Sequence, residues 1–148
     1  MLLVEHEMCY CITMHITTEI KQKIETLAEK HALTLVVLFG SQATGKTHPH
    51  SDVDIGVMGL RPIDFGDNYN LQLAFSNIFK RPDIEVVNLR NVSPLLLKRV
   101  ADHGILLFEK EKGLFTKLKI RAFKLYVENQ PLFALGKRYV ERFLEKHA

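Results

Sequence analysis

The sequence predicts an α/β chain of the α+β kind: a small mixed sheet flanked by helices, with further helices at the C-terminus. Three observations predict it. The runs Leu33 to Phe39, Asp52 to Met58, Asp83 to Leu89 and Ile105 to Phe108 are short, apolar and rich in β-branched residues, as strands are. Around them, apolar residues recur at helical spacing. The breakers Gly40, Pro82 and Gly104 fall at joints between the two patterns.

Each element follows in order. Thr17-Thr18-Glu19 can open a helix, with the acid near its positive end, and Ile20, Ile24, Leu27 and Ala28 carry it to His31. The strand Leu33 to Phe39 ends at Gly40, and a short helix spans Ser41 to Lys46. Thr47 to His50 is a loop, because Pro49 and the residue before it resist helix. After the strand Asp52 to Met58, Gly59 to Gly66 is a loop containing Pro62. Leu71, Leu73, Ala74, Phe75 and Ile78 mark a helix over Asp67 to Lys80, broken by Arg81-Pro82. Asp83 to Leu89 is the third strand. Ser93-Pro94 starts a helix with proline at its first position, and that helix stops at Gly104. Ile105 to Phe108 is the fourth strand. From Lys112 the pattern is helical to the end, and Pro131 is expected to divide it in two. The expected organisation is a dispensable extension over 1–16, a main domain over 17–110 and a helical segment over 111–148.

Composition excludes several classes. A chain of 148 residues, 47 % of them apolar, suits one domain with a real core. A net charge of +3 is too mild to indicate direct nucleic-acid binding, which calls for a concentrated basic face. Cys9 and Cys11 are too close for an easy bridge and read as free thiols of a reducing compartment. No apolar run approaches the ~20 residues of a membrane span. The N-terminus has no basic start and carries Glu5 and Glu7, unlike a signal peptide; Met8 and Met14 are alternative starts.

The chemistry concentrates in GSQATGKTHPHSDVDIGV, from Gly40 to Val57. Gly40 lets backbone approach a phosphate, and Ser41 opens a helix whose hydroxyl and amides suit an anion. Asp52 and Asp54 are two apart on a strand and so point the same way. Two such carboxylates repel, which raises proton affinity unless a cation sits between them. Hard oxygen donors suit Mg²⁺, one ion binding a triphosphate and a second activating an attacking hydroxyl. The pair wants a third carboxylate from a neighbouring strand. Glu85 is the first candidate, since an acid flanked by Ile84, Val86 and Val87 is out of place in a core strand, and Asp83 is the second.

Competing readings of the same stretch are weaker. Residues 40 to 47, GSQATGKT, match the phosphate-loop pattern G-x-x-x-x-G-K-T literally. A strand bearing the two acids follows within five residues, leaving no room for the long helix such a loop opens. His48 and His50 with Asp52 lack the further ligand a tetrahedral zinc site needs. Lys46, Arg81 and Arg99 are candidate phosphate contacts, although each reads first as a surface charge. The aromatics Phe115, Phe123, Tyr126, Phe133, Tyr139 and Phe143 read as an amphipathic cover for the sheet, any exposed part being open to a helical partner.

Gly40-Ser41, ten residues, then Asp52-x-Asp54, with an acid at Glu85, resembles the minimal nucleotidyltransferase fold of the DNA polymerase β superfamily. The downstream stretch DIEVVNLRNVSPLLLKRVADHGILLFE is similar to the matching part of MntA-type proteins, the antitoxins of HEPN/MNT toxin–antitoxin modules. The resemblance covers roughly residues 18 to 110. It implies a cytoplasmic adenylyltransferase that takes ATP and Mg²⁺, moves AMP to a tyrosine of a cognate HEPN ribonuclease toxin and releases pyrophosphate. Gly40, Ser41 and Ser51 would hold the nucleotide. Asp52, Asp54 and Glu85 would be the catalytic and metal-binding acids, Glu85 also helping to deprotonate the acceptor where relatives often carry aspartate. Two rivals remain: an antitoxin that acts mainly by binding, and a small-molecule nucleotidyltransferase of the aminoglycoside type. The latter needs an acidic pocket for a cationic drug, of which a +3 chain with a basic tail shows little sign.

Overall fold

Residues 15–45 and 52–148 are described by a computed structural model. Helix α1 spans Thr18–Lys30 and is capped by Thr17, whose Oγ1 accepts from the Ile20 amide at 3.3 Å. Strand β1 is Leu33–Phe39, α2 is Ser41–Thr44 and β2 is Val53–Gly59. Then come α3 (Phe65–Phe79), β3 (Ile84–Asn88), α4 (Pro94–His103), β4 (Ile105–Glu109) and α5 (Leu114–His147). Among the described residues no helix is long and apolar enough to cross a membrane.

The four strands form one mixed sheet in the order β3-β2-β1-β4. β1 runs antiparallel to both β2 and β4, while β2 and β3 are parallel. Strand alternation divides the core into two layers. On one face Val36 and Leu38 of β1, Val53, Ile55 and Val57 of β2, and Ile84 and Val86 of β3 pack against Ile24 of α1 and Leu71 and Phe75 of α3. On the other face Leu35, Val37 and Phe39 meet Leu97, Val100 and Ala101 of α4 and Phe115, Leu118 and Ala122 of α5. β1 is buried on both faces, which is why it carries no alternation to read. β2 and β3 alternate, and their acids lie on the α4 side.

Two expectations are corrected. α3 begins at Phe65, before Asp67, because the Asp64 side chain accepts from the Asp67 amide at 2.7 Å and caps it. The C-terminal helices are one: α5 runs unbroken through Pro131. Proline there removes the amide that would meet the Val127 carbonyl, and Val127 is exposed, so water can satisfy that carbonyl. The expectations placed on Cys9, Cys11, Lys46, His48, His50 and Ser51 lie outside the described residues.

Candidate active site

The turn from β1 into α2 places Gly40 against an acid of β2. Phe39 and Asp54 are register partners across β1 and β2. Gly40 has φ 75° and ψ −152°, a region almost closed to residues with a Cβ. A Cβ built there would lie 2.1 Å from Asp54 Oδ2. Only glycine lets the turn and the carboxylate approach so closely. Ser41 starts α2, and the Thr44 hydroxyl lies 3.3 Å from both the Gly40 and Ser41 carbonyls, to which it donates. α2 has four residues and ends at Gly45 in the left-handed region. The long helix of a phosphate-loop enzyme is absent from that position, in line with the rejection of the literal GSQATGKT match.

The acids meet through the parallel pairing of β2 and β3, whose register sets Asp54 opposite Glu85. Burial pushes the Asp54 carboxyl above its ordinary pKa of 3.8, and the charges of Glu85 and Asp52 push it further the same way. Asp52 is exposed just before β2 begins. Asp83 is engaged elsewhere: Arg81 Nε donates to its Oδ1 at 2.8 Å and Arg81 Nη2 to its Oδ2. That pairing holds the Asp83 carboxyl below its ordinary value and raises the Arg81 guanidinium. Geometry therefore favours Glu85 over Asp83 as the acid facing Asp54. The physical ground differs from the expected one. Glu85 is exposed rather than buried in the core, because its strand face opens onto a pocket.

That pocket has a volume of about 590 Å³, within the usual range for small-molecule sites. Gly40, Ser41, Asp54 and Glu85 line one side. Arg99 and His103, one turn apart on α4, line it as well. Arg99 has no ion-pair partner among the described residues, so the pocket sets an uncompensated cation near uncompensated acids. His103 and Thr44 are pocket residues that sequence reasoning missed. The only signal for His103 was its i, i+4 spacing from Arg99, which has no meaning until the face of α4 is known.

The chemistry of the donors fits a divalent cation. Asp54 and Glu85 are hard oxygen ligands, neither has a cationic partner among the described residues, and their repulsion would be relieved by a metal. Among the described residues no three such side chains already stand in ligating geometry. Asp52 and the oxygens of a phosphate substrate would have to complete the shell, as is usual for Mg²⁺.

A mixed four-stranded sheet whose glycine turn faces acids on two adjacent strands is the plan of a minimal nucleotidyltransferase. Residues 21–113 match the family described as Polymerase beta, Nucleotidyltransferase, and the chain belongs to it. It is 32 % identical over 72 residues to the protein adenylyltransferase MntA of Shewanella oneidensis, covering 49 % of this chain and 51 % of that one. It is 29 % identical over 151 residues to the protein adenylyltransferase MntA of Aphanizomenon flos-aquae, covering 85 % of this chain and 97 % of that one. Among solved structures it resembles a toxin–antitoxin complex with AMP-PNP, at TM-score 0.68 and 25 % identity over 84 % of this chain and 98 % of that one. It shares a fold with a chain from a complex of tri-AMPylated Shewanella oneidensis HEPN toxin with MNT antitoxin. There the TM-score is 0.63 at 22 % identity, over 84 % of this chain and 96 % of that one.

Proposed function

We propose that this chain is a cytoplasmic antitoxin that transfers AMP from ATP to a tyrosine of a cognate HEPN ribonuclease toxin and so neutralises it. The observation that carries the reading is the meeting of Gly40, Asp54 and Glu85 at one pocket of about 590 Å³. The adenylyltransferase relatives and the nucleotide-bound toxin–antitoxin complex support the same reaction.

In this reading the Gly40-Ser41 backbone and hydroxyl hold the β- and γ-phosphates, with Ser51 as a further contact. Asp52, Asp54 and Glu85 hold Mg²⁺, which when bound screens the triphosphate charge and lowers the pKa of the acceptor hydroxyl. The tyrosine oxygen attacks the α-phosphorus; the new P–O bond forms as the bond to pyrophosphate breaks. Glu85 takes the phenolic proton, and its exposure to the pocket leaves room for the acceptor ring. Arg99 balances charge on the phosphate chain or the departing pyrophosphate.

The test is intact mass spectrometry after incubation with ATP, Mg²⁺ and the product of the neighbouring gene. One or more AMP units on the partner, absent with an Asp52→Asn/Asp54→Asn variant, is the expected result. A stable complex without any mass gain moves the assignment to neutralisation by binding. Modification of an antibiotic without any protein partner moves it to the small-molecule class.

A further inference from the structure

Past Pro131 the long helix keeps an apolar face with no part of the described chain to lie on. The first half of α5 packs on the core through Phe115, Ala122 and Leu125. Phe133, Val140 and Phe143 stand about five turns further on and so share that azimuth. Beyond the body of the protein that face is exposed at Leu132 (62 %), Val140 (54 %), Phe143 (51 %) and Leu144 (61 %), and Leu135 (59 %) and Tyr139 (73 %) widen it on the side that continues from Lys117 and Arg121. Residues 132–147 make an overhang of about 24 Å. A contiguous apolar stripe of this kind marks an interaction surface rather than ordinary surface scatter.

Charge and position say what covers it. Between Leu114 and His147 there are eight Lys and Arg against three Glu, a net of +5 in a chain whose total is +3. A second copy would bring like charge against like charge. On the overhang Glu141 and Glu145 interleave with Lys137, Arg138, Arg142 and Lys146, a mixed pattern better matched by a protein face than by an anionic bilayer. α4 connects the overhang to the chemistry. Its Leu97, Val100 and Ala101 share a core layer with α5, while its Arg99 and His103 line the pocket. Lys98 of α4 lies 5.5 Å from the centre of the Tyr126 ring of α5, a further tie between the two helices. α5 and the pocket therefore lie on the same face of the sheet, and the acceptor must be delivered to that face.

We propose that residues 132–147 are the docking element for the AMP-accepting protein, and that they seat in an apolar groove rimmed by acidic side chains. The proposal rests on the transferase reading, and its test separates the two. A full-chain Tyr139→Glu/Phe143→Glu variant is compared with the parent in an Asp54→Asn background. The readout in that background is affinity for the purified partner by calorimetry; in the Asp54-intact chain, affinity for Mg²⁺–AMP-PNP is read without partner and AMP transfer at limiting partner. The expected result is partner affinity weakened about a hundredfold, transfer slowed in step, and nucleotide affinity within about twofold. A Lys137→Glu/Arg142→Glu variant, which leaves the apolar stripe intact, is expected to lose about tenfold, most strongly at low salt. Partner affinity within about threefold in both variants overturns the proposal. So does a dimer of the free chain, or retention on anionic vesicles, that the Tyr139/Phe143 variant abolishes. Overhang-dependent binding of a partner that never gains AMP upholds the docking surface and overturns the transferase reading instead.

Discussion

Gly40→Ala is the perturbation that most directly probes the site, because two separate costs meet at that residue. The backbone at φ 75° and ψ −152° is strained for alanine by about 1–3 kcal/mol. Independently, the new Cβ would stand 2.1 Å from Asp54 Oδ2, where real Cβ contacts are essentially never under 3.0 Å. The carboxylate must retreat by at least 0.9 Å, the difference between those two distances. A displacement of about 1 Å at a reacting centre costs roughly a hundredfold in rate. Taking about 2 kcal/mol for the strain, a chain of this size should melt about 4–8 °C lower. Thermal melts and AMP transfer are read on Gly40→Ala, Asp54→Ala and the double variant. In the Asp54→Ala background the stability cost of Gly40→Ala should shrink to the backbone strain alone, giving a coupling above about 0.5 kcal/mol. Equal costs in the two backgrounds would refute the close approach of turn and carboxylate. Wild-type melting and wild-type transfer in the single variant would refute the placement of the turn itself.

Other outcomes follow from the same geometry. Asp54→Asn should abolish transfer yet melt at or above wild type near neutral pH. The raised pKa of Asp54 means that ionising it costs the fold stability, so the gap should close as pH falls through that pKa towards the ordinary 3.8; a clear destabilisation at neutral pH would contradict this. Glu85→Gln should abolish transfer with little change in melting, whereas Asp83→Asn should keep transfer and lose at most about 1 kcal/mol with its half-exposed Arg81 pair. Equal loss of transfer in both would mean that Asp83 also serves the reaction. Arg99→Met should raise the KM for ATP about tenfold, the weight of one charge-assisted hydrogen bond, and leave melting unchanged; an unchanged KM would remove Arg99 from the phosphate path.

Much of this was legible from the residue order, for local reasons. Thr17 and Ser93 cap α1 and α4 through their side chains, Pro94 opens α4, and Gly104 follows it, as the sequence suggests. Asp54 and Glu85 were legible because strand alternation sets them against the apolar period of β2 and β3, whereas Asp52 stands before the start of β2 at Val53 and is not among the residues lining the pocket. What stayed hidden depends on contacts distant in sequence. That β2 and β3 run parallel, so that Asp54 falls opposite Glu85, is decided by the path of α3 between them. The diversion of Asp83 to Arg81 needs side-chain geometry at the β3 entrance. His103 and Thr44 join the pocket only once α4 and α2 are placed. Pro131 misled because a proline weakens a helix without having to end it: here solvent around the exposed Val127 can satisfy the carbonyl that loses its partner, and the helix continues.

The features that mark the site also weaken the free chain. Gly40 adopts a backbone state with little intrinsic preference, Asp54 is ionised only against burial and its neighbours, Arg99 lacks a counter-ion among the described residues, and the α5 overhang leaves apolar surface in water. None of these helps the sheet to fold; Gly56, whose space is filled by Leu89, shows what a glycine kept for packing looks like instead. Each is relieved by a different component of the proposed reaction: the turn by phosphate, the acids by metal, Arg99 by the phosphate chain, and the overhang by the partner. Four unrelated local costs, relieved by the components of one ternary assembly and gathered on one face of the sheet, are better explained by nucleotidyl transfer to a docked protein than by decay of an inherited site. A site kept only for shape would be expected to lose first the charges that oppose its own folding.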